Sequence, residues 1–256
     1  MSSVTVEKLN NTAIITLNRP ETLNAIDKSL LLELENALHE ASQQKDVKVI
    51  ILTGTGKSFA SGGDIASMAK FSAEEAKDFA HLGHRVLNGI AELPQPVIAA
   101  VNGYALGGGL ELALACDIRI VSAKAKLGLP EVTLGLIPGF GGTQRLSRAV
   151  GFSKAFQLIS SAKILTAAEA KELGLADELS EPETLMEDCM TLASSIAKNS
   201  KSAVALAKRA MYIGIENQLH ASLMAEAECF KEAFTTADHA EGISAFLEKR
   251  SPVFTD

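Results

Sequence analysis

Apolar positions along this chain alternate between two spacings. In residues 4–9, 12–18, 47–52, 97–101 and 118–121 they form short runs of β type. Asn10-Asn11, between the first two runs, predicts a hairpin turn, because asparagine tolerates positive φ. Elsewhere the spacing becomes three and four. Leu30, Leu31, Leu34, Leu38 and Ala41 form one helical face behind Asp27 as N-cap. Phe79, Leu82, Val86, Ile90 and Leu93 form a second face, opened by a Ser72/Glu75 capping box and closed by Pro94-Gln95-Pro96. Residues 108–116 read as a third helix, and Thr166 with Glu169 opens a fourth that ends at Gly174. Strands alternating with helices define an α/β chain. No sequence repeat is visible, which leaves a structural repeat open.

From Pro182 onward the pattern is almost wholly helical, over residues 183–198, 202–213, 218–234 and 238–249. The change near Asn199-Ser200 divides the chain into an α/β body, residues 1–198, and a helical tail, residues 199–256. Leu219, Leu223, Ala227, Phe230 and Phe234 line an apolar face that so short a tail cannot bury alone. It is expected to dock on the body, on a partner subunit, or on both.

The 256 residues suffice for a full core, and 47% hydrophobic with 21% charged residues is a globular composition. A net charge of −7, no tryptophan and two tyrosines argue against nucleic-acid binding. Cys116, Cys189 and Cys229 are widely spaced and odd in number, so reduced cysteines in the cytoplasm are expected. Neither a signal peptide nor a membrane-spanning run is visible, and no residues stand at metal-ligand spacing.

Two motifs with nucleotide-site overtones fail on spacing. Gly54–Ser58 (GTGKS) has Ile51 where a P-loop needs its first glycine, and Leu112 occupies the third glycine position of a dinucleotide fingerprint. Three features remain. Gly107-Gly108-Gly109 at a helix start is either a tight turn or a set of open N–H donors for an anion. The FASGGD loop, residues 59–64, is either a second donor loop or a plain strand-to-helix turn with Asp64 as N-cap. Glu111 and Glu131, among aliphatic and glycine neighbours, are either first-turn carboxylates or an acid/base pair. Donor loops beside paired carboxylates suit enolate chemistry, in which a carbonyl oxygen carries negative charge while protons move at carbon.

The runs NGYALGGGLELALACDIRI and PEVTLGLIPGFGGTQRL, with FASGGDI and NRPETLNAI upstream and EGISAFLEKRSPVF at the end, resemble the enoyl-CoA hydratase/isomerase (crotonase) superfamily over nearly the whole chain. The resemblance implies a crotonase-type spiral of ββα units with a C-terminal helical trimerisation region, assembled as a homotrimer or homohexamer. It implies an acyl-CoA substrate, coenzyme A being part of that substrate and no separate cofactor being needed. Its oxyanion hole falls on the backbone N–H groups of Ser61 and Gly108, and its two catalytic glutamates on Glu111 and Glu131. Both being present favours water addition to a trans-2-enoyl-CoA. The alternatives are a double-bond isomerase or a hydratase of branched or dicarboxylic acyl-CoAs, decided by pocket residues such as Met68, Phe71 or Phe140. Gly139 matches a glycine near the catalytic water. Coenzyme A contacts fall on Asn24, Ala25 and Ile26, on Ala60, Gly62, Gly63, Asp64 and Ile65, and on Phe246 and Lys249 from an adjacent subunit.

Overall fold

The computed structural model describes residues 2–255. The chain opens with an antiparallel hairpin, β1 (Val4–Leu9) and β2 (Thr12–Leu17), in which Val4 lies opposite Leu17. Asn10 takes the positive φ that the turn requires, +53°. The Asp27 carboxylate accepts the Leu30 N–H at 2.8 Å and starts α1 (Lys28–Gln43).

Three units of one design follow. The first is β3 (Val49–Gly54), β4 (Ser58–Ala60), the short α2 (Ile65–Met68) and the long α3 (Ala73–Glu92), which carries both halves of the Ser72/Glu75 capping box. The second is β5 (Val97–Val101), β6 (Tyr104–Leu106) and α4 (Gly108–Ala115). The third is β7 (Ile118–Ser122), β8 (Lys126–Gly128) and a 3₁₀ turn, Glu131–Leu134. Each unit gives its longer strand to one sheet, ordered β1-β2-β3-β5-β7-β10, and its shorter strand to a second, ordered β4-β6-β8-β9. The three longer strands lie parallel, as do the three shorter ones. This is a spiral of ββα units, so a structural repeat exists that the residues do not advertise.

The chain continues through α5 (Gly142–Val150), α6 (Phe152–Ser160), β9 (Leu165–Thr166), α7 (Ala167–Glu172), β10 (Glu178–Ser180) and α8 (Leu185–Ala197). It ends in α9 (Lys201–Glu216), α10 (Leu219–Ala233) and α11 (Ala237–Leu247).

The large sheet is buried on both faces, which explains its unbroken apolar runs. Along β3, Ile50 and Leu52 point to the main core with Leu34, Leu87 and Ile90. The alternate residues Val49 and Ile51 point to a second core closed by Leu185, Cys189 and Ala193 of α8.

The differences from the sequence-based elements have local causes. The run 47–52 enters the sheet two residues late, because the Val47 N–H is held by the Gln44 carbonyl in a turn. The loop expected over 59–64 begins inside β4, and neither β6 nor β8 was expected. Each has three residues, too few to show a period. Helices α5 and α6 and strand β10 also went unpredicted.

In the tail, α9 is tied to the body by a buried lysine. Lys208 Nζ donates to the Ile90 and Gln95 carbonyls, each at 3.0 Å, and to Asp117 Oδ2 at 2.7 Å. Helix α10 folds back on α9. Leu219, Phe230, Phe234, Phe246 and Leu247 stay exposed.

Candidate active site

Three parallel strands of the small sheet deliver the site. Beyond β4 comes the Ser61–Gly63 segment, beyond β6 the Gly107/Gly108 start of α4, and beyond β8 the Glu131 turn. Loops past the carboxyl ends of adjacent parallel strands converge, which is why open parallel sheets bind ligands there. The convergence is tight: a Cβ on Gly109 would stand 1.9 Å from the Ala60 carbonyl oxygen, so only glycine lets α4 start against β4.

The first turn of α4 leaves the Gly108 N–H outside the helical ladder. Ile26 and Phe140 pack beneath Gly108, their side chains 3.4 and 3.0 Å from where its Cβ would be. In the neighbouring loop the structure corrects the expected donor. The Ser61 N–H is spent on the Leu23 carbonyl at 3.1 Å, and its hydroxyl contacts only Thr22 O. Gly63 bridges Ile26 in parallel fashion, with the Ile26 N–H donating to Gly62 O and the Asp64 N–H to Ile26 O. Backbone polarity alternates along an extended segment, so the Gly63 N–H faces away from Ile26. It has no backbone partner among the described residues. Gly62, beside it, lies against Gly107 and Gly108. The donor pair offered to an oxyanion is therefore Gly63 and Gly108. The signal was available in the doubled glycine, but only the bridge to Ile26 says which amide is free.

Glu111 is 1% exposed. Its Oε1 accepts the Phe140 N–H at 2.8 Å and the Gly142 N–H at 2.6 Å. Burial pushes its pKa up to about 7; the Gly142 amide opposes that, Glu131 adds to it, and the Phe140 amide opposes it again. Glu131 is raised as well, by burial. Its Oε1 lies 3.0 Å from the position of a Cβ on Gly107, and its buried Oε2 has no hydrogen-bond partner among the described residues. Burial thus raises both carboxyls, Glu111 to about 7, and the Glu131 charge adds to the shift of Glu111; two amides hold Glu111 Oε1, while Glu131 Oε2 has no partner among the described residues.

The remaining expected residues divide. The Asn24 side chain is a buried strut, accepting the Arg19 N–H and donating to the Thr55 and Ser58 carbonyls. Asp64 caps α2 through the Ser67 N–H and faces Arg19 at 3.6 Å. Ala25 supplies a carbonyl to Arg19, Ala60 is fully buried, and Ile65 is exposed. A Cβ on Gly139 would meet nothing within 4 Å. Phe246 is 81% exposed, and among the described residues no hydrogen bond or ion pair links it or Lys249 to the glutamates. Met68 Sδ lies 2.9 Å from a Cβ built on Gly63, and Phe71, Phe79 and Phe140 form an edge-to-face chain leading away from Gly108. A cleft of about 730 Å³ between α1 and α3 shares Phe71 and Phe79 with that chain but neither glutamate, so it is an outer groove. No cluster of described residues could hold a metal ion, and no described helix is long and apolar enough to cross a membrane.

A spiral of ββα units with paired carboxyls and glycine donors at its strand ends defines a crotonase-type protein. The chain belongs to the enoyl-CoA hydratase/isomerase family, whose model matches residues 7–256. It is 44% identical over 251 residues to a short-chain-enoyl-CoA hydratase of Clostridium acetobutylicum, covering 98% of this chain and 96% of that protein. It is likewise 44% identical over 253 residues to a crotonyl-CoA hydratase of Syntrophomonas wolfei, covering 98% and 97%. A crystal structure of enoyl-CoA hydratase from Bacillus anthracis superposes with a TM-score of 0.94 at 40% identity, covering 98% of both chains.

Proposed function

We propose that this protein is an enoyl-CoA hydratase, adding water reversibly across the 2,3 double bond of a short trans-2-enoyl-CoA. The observation that carries the reading is the pairing of buried Glu111 with Glu131 beside the free Gly63 and Gly108 amides. The hydratase names of the 44% identical relatives point the same way.

The substrate thioester oxygen lies between the Gly63 and Gly108 N–H groups. In the reacting form Glu111 is the carboxylate, a state that its two amide donors favour and burial opposes, and it takes a proton from water as the water oxygen bonds to the β-carbon. The π electrons move toward the thioester, and the charge gathering on its oxygen meets the two N–H groups. In that form Glu131 serves as the acid of the pair and gives its proton to the α-carbon as the carbonyl re-forms. The pair ends with its proton on the other glutamate, and transfer between the two restores the starting state. Each acid/base partner is worth about 10²–10⁴ in rate. Moving a double bond within the chain can proceed with one carboxyl, so the presence of two favours hydration. Coenzyme A enters as part of the substrate, and no separate cofactor is required.

We read residues 199–256 as the oligomerisation region of a homotrimer or homohexamer, on the exposed apolar residues of α10 and α11. In that assembly Phe246 and Lys249 reach the coenzyme A of an adjacent subunit. Three buried, unpaired cysteines suit the cytoplasm.

The test is the rate at which the conjugated thioester of trans-2-enoyl-CoAs disappears, from C4 upward and including branched acids. Crotonyl-CoA hydration that collapses in Glu111→Gln and Glu131→Gln supports the reading. Coenzyme A binding without turnover of any enoyl-CoA, or double-bond migration without hydration, overturns it.

A further inference from the structure

The grip on Glu111 comes from a loop that itself needs holding. Phe140 and Gly142 donate to the same carboxylate oxygen, and the peptide between their amides presents the Phe140 carbonyl on another side. That carbonyl accepts from Arg145 Nη1 at 2.8 Å. The other arm of the guanidinium, Nη2, donates to Asn88 Oδ1 on α3 at 2.6 Å. Arg145 therefore pins the glutamate-binding loop to the longest helix of the fold. Because a peptide is planar, fixing this oxygen sets the plane of the Phe140–Gly141 peptide, the link between the two donor amides. The loop is shaped to admit this side chain. Gly141 stands at φ +101°, and a Cβ there would lie 2.3 Å from Arg145 Nη1.

We propose that Arg145 is the positioning residue of this site, holding the Phe140–Gly142 amides on Glu111 and presenting a cation to that carboxylate. The inference rests on the hydratase reading for its kinetic form, and on the geometry alone for its structural form.

The charges around the pair are few. Glu111 is faced by Glu131 from the 3₁₀ turn and by Arg145 from α5. Arg145 is faced by Glu111, by Tyr212 of α9, by Cys116 at the end of α4 and by Arg148 of its own helix, while His84 of α3 feels its charge. Burial draws Arg145 below its ordinary value, yet a guanidinium remains charged at any working pH. Without it Glu111 loses its facing cation, and the loosened loop weakens two donors to the carboxylate. Both changes favour the protonated acid.

The experiment compares Arg145→Met and Arg145→Lys with the wild type for kcat, KM and the pH profile of crotonyl-CoA hydration. In Arg145→Met, kcat falls about 10²-fold, as for a misplaced catalytic group, and KM moves far less. The acid limb of kcat/KM moves to higher pH. Arg145→Lys restores the charge and hence the limb, but one rotatable ammonium does not replace a two-armed fork, so kcat recovers only in part. A packing role alone would lower the melting temperature with the limb unmoved; that result, or wild-type kcat in Arg145→Met, overturns the proposal. Should Arg145→Met not fold, Arg145→Lys with wild-type kcat overturns it by itself. Infrared titration of the Glu111 carboxyl in ligand-free protein separates the two readings. If the wild type hydrates no enoyl-CoA, the hydratase reading fails, while an upward shift of Glu111 in Arg145→Met still upholds the positioning role and its absence removes it.

Discussion

The Gly142 N–H donates to Glu111 Oε1 at 2.6 Å, against a carboxyl whose pKa burial has carried to about 7. The amide stabilises the charged form and burial the neutral one, and burial dominates. The consequence for stability has a definite sign. A carboxyl with a raised folded pKa binds protons more tightly folded than unfolded. Its contribution is fully present below pH 4.5 and is lost as pH climbs to about 7. The shift corresponds to on the order of 3 kcal/mol. Glu111→Gln cannot ionise, so its stability relative to the wild type should rise from pH 5 to pH 8. Urea denaturation at the two values checks this, and parallel changes in both proteins would contradict it.

A second expectation concerns glycines with opposite surroundings. A Cβ on Gly109 would meet the Ala60 carbonyl oxygen at 1.9 Å, and backbone cannot swing aside. Gly109→Ala must separate α4 from β4, and with them the amide donors that follow each strand. We expect more than tenfold loss of kcat and a lower melting temperature, because misplacements of about 1 Å cost about 10²-fold. Gly89, within α3, has nothing within 4 Å of its would-be Cβ. Gly89→Ala should stabilise by about 0.5–1 kcal/mol and leave kcat alone. A tolerated Gly109→Ala would show that the two loops do not depend on that contact.

Much of this architecture was legible beforehand. The hairpin, α1, α3 and α4 followed from caps and spacing, since Asp27 and the Ser72/Glu75 box sit where the helices begin. Glu111 stood out as an acid in an apolar helix. The small sheet did not show, because β4, β6 and β8 are three residues each and owe their existence to the repeat. The choice between Ser61 and Gly63 as donor was hidden for a related reason. It turns on a pairing with Ile26, 37 residues earlier by subtraction of their numbers (63 − 26), which no local pattern records. Arg145 passed unremarked because an arginine in a helix reads as surface until its partners are seen.

A third expectation tests how the tail is fastened. Lys208 Nζ makes three hydrogen bonds in the interior, one of them to Asp117, which also accepts the Tyr212 hydroxyl at 2.9 Å and the Val97 N–H at 2.7 Å. Lys208→Met leaves a largely buried carboxylate without its cation and the Ile90 and Gln95 carbonyls without the ammonium donor. Breaking such a pair costs about 3–5 kcal/mol. Lys208→Met with Asp117→Asn should cost less than the sum of the single changes, because the amide no longer leaves a charge unpaired. Chemical denaturation of the four proteins gives the coupling, and strict additivity would deny it.

The last expectation follows from what the tail leaves uncovered. Leu219 is 74%, Phe230 66% and Phe234 56% exposed, and Phe230 and Phe234 touch edge to face at 5.1 Å. An exposed apolar surface of this kind is what the proposed oligomerisation region would cover. Phe230→Asp should place a charge in that interface and shift the assembly toward monomers, read by light scattering over a dilution series. The glutamate pair lies wholly within one chain, whereas Phe246 and Lys249 make no hydrogen bond or ion pair with it there among the described residues. The monomeric form should therefore raise KM for crotonyl-CoA more than it lowers kcat. Phe246→Ala in the intact assembly should reproduce the KM effect without dissociation. If Phe230→Asp leaves mass and kinetics unchanged, the tail is not the oligomerisation surface. If it dissociates the assembly while KM holds, the adjacent subunit contributes nothing to coenzyme A.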